Sequence, residues 1–449
     1  MNKVLTSVRP ALLPLLASLT LSACGGGSAD TAPAATTQPA ATAESAVAAG
    51  PGSVSSSSSS TSSSVASSAA SSSAASSSAA APASASSSSA TSAGTQTPAA
   101  VSAVVTIDFA NAANYANPSL PGYYAVAAND DNTPASNAVS DRAATLGRVL
   151  FYDRKLSIND GISCASCHQQ AHGFDDPARF SQGFSGAAFT TAHAMRLGNV
   201  RYYAPGSMFW NKRAASVEAQ ATQPVQNAVE MGFDTANGGI DALLAKLRGV
   251  SYYADLFTYA FGDPAIDESR MQMALAQFER AMISADSRWD RAYAQVFSAN
   301  APNRNLDVTL PGFTAEENRG RHLFMGNRGA GGLECAECHE PPTFALVRNS
   351  GSNGLDAGES VRFKAPSLKN VGLATAFMHD GRFSTLEQVI DHYDSGIQAG
   401  PALDNRLQAN NGPRRLNLSA ADKAALVAFL RTLTDTNLTT DPRFSNPFR

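Results

Sequence analysis

Two Cys-x-x-Cys-His pentapeptides carry the clearest chemistry in this chain: Cys164-Ala165-Ser166-Cys167-His168 and Cys335-Ala336-Glu337-Cys338-His339. Paired thiols at this spacing can form thioethers to the two vinyl groups of a porphyrin. The adjoining histidine then falls under the iron as its proximal ligand. The motifs begin 171 residues apart (335 − 164). Two other chemistries use paired cysteines. A structural zinc normally draws four ligands from paired knuckles, and a thioredoxin-like redox pair needs no histidine after it. A histidine after both pairs favours two covalent haems c, attached at Cys164, Cys167, Cys335 and Cys338 and ligated by His168 and His339.

The fifth and last cysteine is Cys24, so the motifs leave no pair for a structural disulfide. Lys3 and Arg9 precede an apolar run from Ala11 to Leu21, the pattern of a secretory signal. It closes on Leu21-Ser22-Ala23-Cys24, followed by glycines. That order resembles a bacterial lipobox, which makes residues 1–24 a lipoprotein signal peptide and Cys24 the lipid-modified first residue of the mature protein. The expected location is the periplasm, held by lipid, with Gly25 favouring the outer membrane. No later stretch is apolar and long enough to span a bilayer, so the lipid would be the sole attachment.

The haem motifs need a scaffold, and it does not begin at once. Residues 25–103 are almost wholly Ser, Ala, Thr, Gly and Pro, with Asp30 and Glu44 the only charges. Too little large apolar side chain is present to offset the ordering entropy, so a disordered tether is expected. A flexible chain of roughly 80 residues spans about 50 Å. The rest carries no basic block and the whole chain a net charge of −4, so nothing points to nucleic acid.

The remaining sequence reads as helical. Asp141 to Tyr152 places Leu146, Val149 and Leu150 on one face, and Glu268 to Ile283 places Met271, Leu275, Phe278 and Met282 at helical spacing. Capping-box patterns at Thr314-x-x-Glu317, Ser384-x-x-Glu387 and Ser419-x-x-Asp422 predict helices through Phe324, Tyr393 and Leu433. Few stretches alternate with period two. The expected fold is mainly α: two cytochrome c-like haem domains with long irregular loops, residues 104–300 and 301–449.

Function turns on the sixth ligand. A haem iron with two strong ligands passes electrons, whereas one with an open face can activate a small molecule. The residues leave the choice open among Met195, Met208, Met231, His172 and His193 for the first haem. For the second they leave Met378, His379, His392 and Tyr393.

Over residues 140–435 the chain resembles the bacterial di-haem cytochrome c peroxidase/MauG family. The resemblance is carried by Leu146-Gly147-Arg148-Val149-Leu150-Phe151-Tyr152-Asp153, Gly173-Phe174-Asp175-Asp176, Arg196-Leu197-Gly198-Asn199, Phe209-Trp210, Ala214-Ala215-Ser216-Val217-Glu218-Ala219-Gln220 and Glu230-Met231-Gly232. In the second half it is carried by Phe363-Lys364-Ala365-Pro366-Ser367-Leu368-Lys369-Asn370, Met378-His379-Asp380-Gly381-Arg382 and Thr385-Leu386-Glu387. It implies a peroxidatic haem on the first motif and an electron-transfer haem on the second. Gln220 and Glu230 match the distal pair over the first haem, where a carboxyl group can move a proton between the peroxide oxygens and an amide can stabilise developing charge. Trp210 matches the tryptophan between the haems. Asn199, with the backbone carbonyls of Lys364 and Pro366, matches the ligands of an inter-haem calcium, for which hard oxygen donors are suited.

Seven residues after Leu386, conventional members of the family carry a ligating methionine; this chain has Tyr393, as MauG-like members do. Leu386, Val389, Ile390 and Tyr393 share one helical face, so Tyr393 is expected to point inward and ligate the second haem, with His392 pointing away. Phe209-Trp210-Asn211-Lys212-Arg213 departs from the family's usual Phe-Trp-Asp-Gly-Arg. His172 and His193 lack the Gly-His-Gly setting of the mobile distal histidine. The implied activity is reduction of hydrogen peroxide to water with electrons from a small cytochrome c, a cupredoxin or a quinol-linked donor. The alternatives are a MauG-like peroxide-dependent oxidase of a partner protein and, in another class, a tethered di-haem electron carrier.

Overall fold

The computed structural model describes residues 96–346, 350–410 and 412–449. The signal segment, Cys24 and residues 25–95 of the expected tether lie outside the described residues. Residues 96–103 join the fold, for Val101 on a short N-terminal helix is buried in the first hydrophobic cluster.

Twelve α-helices are present among the described residues. The first seven are α1 (Ala99–Ser102), α2 (Asp141–Tyr152), α3 (Cys164–Cys167), α4 (Val217–Ala221), α5 (Gly239–Arg248), α6 (Tyr253–Phe261) and α7 (Glu268–Ala281). The others are α8 (Arg288–Val296), α9 (Ala315–Met325), α10 (Leu386–Asp391), α11 (Ala420–Arg431) and α12 (Thr436–Thr440). Sheet is limited to two antiparallel pairs of two-residue strands. The mainly helical expectation therefore holds. Ser140 caps α2, Thr314 and Glu317 form the capping box of α9, and Ser419 caps α11. The cap of α10 is Thr385 rather than Ser384: its hydroxyl accepts from Gln388 N, while Ser384 N donates to the Gln388 side chain. That helix also stops at Asp391 and continues as a π-helical turn, His392–Gly396.

Two hydrophobic clusters organise these elements. The first gathers Leu146, Val149, Leu150, Met271, Leu275, Phe278 and Met282, the stripes expected from the helical spacing. The second gathers Trp289, Leu323, Phe324, Leu426, Phe429 and Leu430. Each also takes residues from the other half of the chain. Tyr123, Tyr124 and Tyr202 pack in the second cluster, and Leu438 and Phe444 pack in the first.

At the centre of each cluster two helices meet backbone to backbone. A Cβ added at Gly147 on α2 would lie 2.0 Å from the carbonyl oxygen of Ala274 on α7 and 2.8 Å from the Phe278 Cβ. A Cβ added at Gly320 on α9 would lie 1.8 Å from the carbonyl oxygen of Ala425 on α11 and 2.8 Å from the Phe429 Cβ. In both halves the glycine helix precedes the haem motif, and the partner helix follows it far along the chain. Forcing even a methyl group into such a contact costs about 1–3 kcal/mol. Gly147→Ala and Gly320→Ala should each lower the chemical denaturation midpoint, and an unchanged midpoint for both would remove the close-contact account.

Candidate haem centres

In the first motif, α3 is a single turn whose entry is fixed by Ser163 N donating to Ser166 Oγ at 3.0 Å. His168 closes that turn, its N–H donating to Cys164 O at 3.0 Å. Gly173 and Phe174 then take left-handed backbone angles (φ 69° and 63°), and the chain doubles back. The Phe174 carbonyl oxygen returns to 3.2 Å from His168 Nδ1. With its proton on Nδ1, the ring offers Nε2 as a free donor atom, the arrangement metal-bound histidines use. Burial holds the His168 pKa below its ordinary value, so the neutral, ligating form is favoured.

The second motif repeats the device. Phe344 also has a positive φ, 53°, and its backbone carbonyl faces the His339 ring. His339 Nδ1 is buried and makes no hydrogen bond, so the contact is less well aligned than in the first half. Burial pushes His339 down to about 4, which leaves it neutral at physiological pH.

The four motif cysteines are free. Burial pushes Cys167 and Cys338 up to about 11 and Cys335 up to about 12, and raises Cys164 further. Among the described residues, the one grouping of three potential metal ligands is Asp356, Glu359 and His379, which contains no cysteine. Neither Cys pair is therefore built as a zinc knuckle. A cavity of about 230 Å³ opens at the second motif, lined by Cys335, Cys338 and His339. Apolar side chains including Phe324, Leu368 and Leu430 line it as well, and so do Tyr393 and Met378. Thiols, a neutral histidine and an apolar cavity together suit a covalent haem.

Of the sequence-derived candidates, this cavity takes Tyr393, Met378, His379, Trp210, Lys364 and Pro366. It also takes His193 and Met195, which the sequence had grouped with the first motif. His392 does point away from it: the ring is buried, with Nε2 3.1 Å from Asn353 O. Burial pushes the Tyr393 hydroxyl up to about 12, opposed by the facing Asn353 side chain. Met208 is engaged elsewhere, its Sδ accepting from the buried Lys364 Nζ at 3.1 Å. Met231 is buried in the first cluster.

Glu230 is electrostatically coupled to the first motif. Its charge bears on both the Cys164 and the Cys167 thiols. The Asn227 side chain fixes the turn that carries it, accepting from Val229 N and Glu230 N. Burial raises the Glu230 pKa, with the nearby Arg213 charge opposing. Gln220 is half-buried on α4, one turn after the Ser216 cap. The short α4 is tied to α7 by Glu218, whose carboxylate takes both Arg280 Nη1 (2.5 Å) and Nη2 (3.0 Å).

Polar contacts run from the loop of the first motif to the second cavity, and two of the residues making them, Asp175 and Arg196, had no role in the sequence reading. Asp175, next to Phe174, accepts from Arg196 Nη1 at 2.7 Å and lies 3.1 Å from His193 Nε2. The pair to His193 is close in distance but not aligned as a hydrogen bond. His193 N donates to His379 O at 2.9 Å, and Trp210 Nε1 donates to His193 O at 2.7 Å. Trp210 meets the His379 ring edge-on at 6.5 Å. The tetrapeptide Gly173-Phe174-Asp175-Asp176 was visible as a motif, but its bridging part could be found only in three dimensions.

Asn199 is buried with φ 63°. Its Oδ1 accepts from Ser284 N at 2.9 Å, and its Nδ2 lies 3.5 Å from Ser367 Oγ. It thus adjoins the segment that carries Lys364 and Pro366, whose own backbone is fixed by Lys364 N donating to Trp210 O at 2.8 Å.

Comparison with known proteins agrees with this geometry. Residues 141–296 and 315–411 match the family described as di-haem cytochrome c peroxidase. The methylamine utilization protein MauG of Methylorubrum extorquens is 31% identical over 318 residues, covering 67% of this chain and 80% of that protein. The cytochrome c551 peroxidase of Nitrosomonas europaea is 28% identical over 334 residues, covering 69% and 85%. Among solved structures, a MauG-like protein associated with microbial copper homeostasis superposes with a TM-score of 0.58 at 31% identity, over 75% of this chain and 99% of that one. The diheme peroxidase BthA from Burkholderia thailandensis shares the fold, with a TM-score of 0.52 at 22% identity, over 70% and 91%.

The anchor of α4 has a pH signature. Burial alone would raise the Glu218 pKa, but hydrogen bonds from Arg280 and Asn137 and the Arg280 charge bring it down to about 2. A depressed carboxylate stabilises the fold above its unfolded pKa and loses that contribution as pH falls through the folded one. Glu218→Gln should therefore cost roughly 1.5–3 kcal/mol at pH 7. The gap to wild type should close as the pH drops from the ordinary carboxylate range towards about 2. Denaturation curves at pH 7 and at acid pH check this; a gap that is constant with pH would contradict it.

Proposed function

The chain belongs to the di-haem cytochrome c peroxidase family, and from that premise we propose that it reduces hydrogen peroxide at the first centre with electrons relayed from the second. It is an oxidoreductase of the cytochrome c peroxidase type and carries two haem c groups, as its named relatives imply. A haem iron with one open face supplies the site where peroxide binds and its O–O bond breaks. Each peroxide takes up two electrons and two protons and leaves as two waters.

The observation that carries the assignment is Glu230, a half-buried carboxyl group within electrostatic reach of the first motif's thiols, with its pKa raised by burial. A carboxyl group so placed can take the proton from the near peroxide oxygen and return it to the leaving one. The Gln220 amide is a suitable donor to the charge that develops. Trp210, between the His193 carbonyl and the second cavity, is the side chain through which electrons would cross.

A second reading has its own observation. Tyr393, rather than a methionine, lines the cavity at the position where the family resemblance expects the second axial ligand. A phenolate ligand lowers the iron potential where methionine raises it, and so favours the peroxide-dependent oxidation of a partner protein found in MauG-like members. The reductant that sustains turnover separates the two readings. A small cytochrome c, cupredoxin or quinol-linked donor supports the first, and a protein substrate supports the second. An inter-haem calcium held by Asn199 and the carbonyls of Lys364 and Pro366 belongs to this proposal, supported by Asn199 lying against Ser367. So does a periplasmic, outer-membrane location through lipid on Cys24, supported by the Leu21-Ser22-Ala23-Cys24 order.

Glu230→Ala should lower peroxide turnover by about 10²–10⁴-fold while both haems stay attached, as read by haem content per chain. Wild-type turnover in that variant would remove the acid–base assignment.

A further inference from the structure

Four buried polar atoms without a hydrogen-bond partner among the described residues belong to side chains that line the second cavity: Asp175 Oδ1, His193 Nε2, Arg196 Nε and His379 Nε2. Polar atoms left unpaired in an apolar interior are costly, and native proteins match nearly all of them. Their clustering on one wall points to a polar group that the wall is built to receive.

Part of the cluster answers itself. His193 Nε2 lies 3.1 Å from Asp175 Oδ1, and the other Asp175 oxygen accepts from Arg196 Nη1 at 2.7 Å. The Asp175 carboxylate is thus served from both sides. Arg196 Nε and His379 Nε2 remain. The Arg196 side chain is 9% exposed, so water does little for its charge. His379 Nε2 approaches Glu359 Oε1 at 3.4 Å without the alignment of a hydrogen bond. The two donors are held on one wall by His193 N donating to His379 O at 2.9 Å. The His379 ring is also stacked on Phe363 at 4.1 Å.

A guanidinium is a planar fork that receives a carboxylate along one edge. With Nη1 given to Asp175, the Nε edge of Arg196 is the one left for a second anion. The other buried cations on this wall are committed: Arg406 gives Nε and Nη2 to Asp404 and Nη1 to Glu337 O, and Lys364 Nζ rests on Met208 Sδ. A haem bonded to Cys335 and Cys338 through its vinyl groups carries its two carboxylates away from that edge. We propose that Arg196, with His379 beside it, seats a carboxylate of the second haem and, through Asp175, ties that haem to the loop of the first motif. Asp175 follows Phe174, whose carbonyl oxygen lies 3.2 Å from His168 Nδ1, so Arg196 is a positioning residue with one centre on each edge. The inference rests on the reading of the second motif as a haem site.

The test uses the di-haem holoprotein with heavy carbon in the haem carboxylates. It reads the reduced-minus-oxidised infrared difference spectrum, in which the label marks the bands of those groups. Arg196→Met keeps the apolar stem and removes the donors. It should shift the labelled bands and lower the midpoint potential of the second haem, because a nearby cation favours the reduced iron. Arg196→Lys keeps the charge without the fork; it should shift the bands with the potential near wild type, and it supplies the reading if Arg196→Met does not fold. Asp175→Asn keeps Arg196 and an oxygen acceptor beside it, and should leave the labelled bands in place. Unshifted bands in the Arg196 variants, or equal shifts in Arg196→Met and Asp175→Asn, would overturn the seat and leave the haem assignment standing. A wild-type chain with fewer than two attached haems would remove that assignment, and the seat with it.

Discussion

A histidine that binds iron with one ring nitrogen almost always has the other held by a hydrogen bond, which fixes its tautomer and orientation. Both halves of this chain bring a backbone carbonyl to the histidine ring, hydrogen-bonded at 3.2 Å in the first half and unaligned in the second, and both carbonyls come from a phenylalanine in the left-handed region, Phe174 (φ 63°) and Phe344 (φ 53°). That conformation costs a bulky residue about 1–3 kcal/mol and persists only where its surroundings over-determine it. The surroundings here are the two helix-pair cores. The Phe174 ring is fully buried against Phe151 and Phe444, and the Phe344 ring against Trp289, Phe324 and Phe429. The side chain is anchored in the core so that the carbonyl can face the histidine. The close approach of α2 to α7 at Gly147, and of α9 to α11 at Gly320, is thus connected through packing to the two motif histidines.

From the same anchor a second line runs outward. Asp175 follows Phe174 directly and gathers Arg196 and His193. His193 holds Trp210 through its carbonyl, and His379 through its N–H. The loop that sets the first histidine therefore meets the wall of the second cavity at Asp175, through a hydrogen bond from Arg196 and the close approach of His193. This is the arrangement a two-centre enzyme needs, since electron transfer depends on a fixed separation while peroxide chemistry depends on a fixed acid–base group. Glu230 is held by a separate turn, fixed by the Asn227 side chain, and burial raises its pKa.

The helices were largely legible because their signals are local. The apolar stripes of α2 and α7 appear in the core as their spacing requires, and Thr314 and Ser419 cap as their patterns require. The haem motifs were legible because thioether attachment demands a fixed spacing. Two placements differ from the linear order of the chain for physical reasons. Ser384 and Thr385 offer equally good caps in sequence, and Thr385 takes the role because the Ser384 N–H is satisfied by the Gln388 side chain. His193 and Met195 sit nearer the first motif in sequence, but the chain carries them to the second cavity. Asp175 and Arg196 had no assigned role because they meet across 21 residues of chain, which no local pattern encodes. The carbonyl held over each proximal histidine was invisible for the same reason: phenylalanine carries no sequence signature of a positive φ.

The central claim is that two porphyrin irons are held in this scaffold and that they differ, one open to peroxide and one closed by a side chain. Resting-state EPR of the purified protein, repeated after one equivalent of peroxide, tests it most directly. The account predicts one high-spin and one low-spin ferric signal at rest, with the high-spin signal lost on addition. Two low-spin signals that peroxide leaves untouched would contradict it.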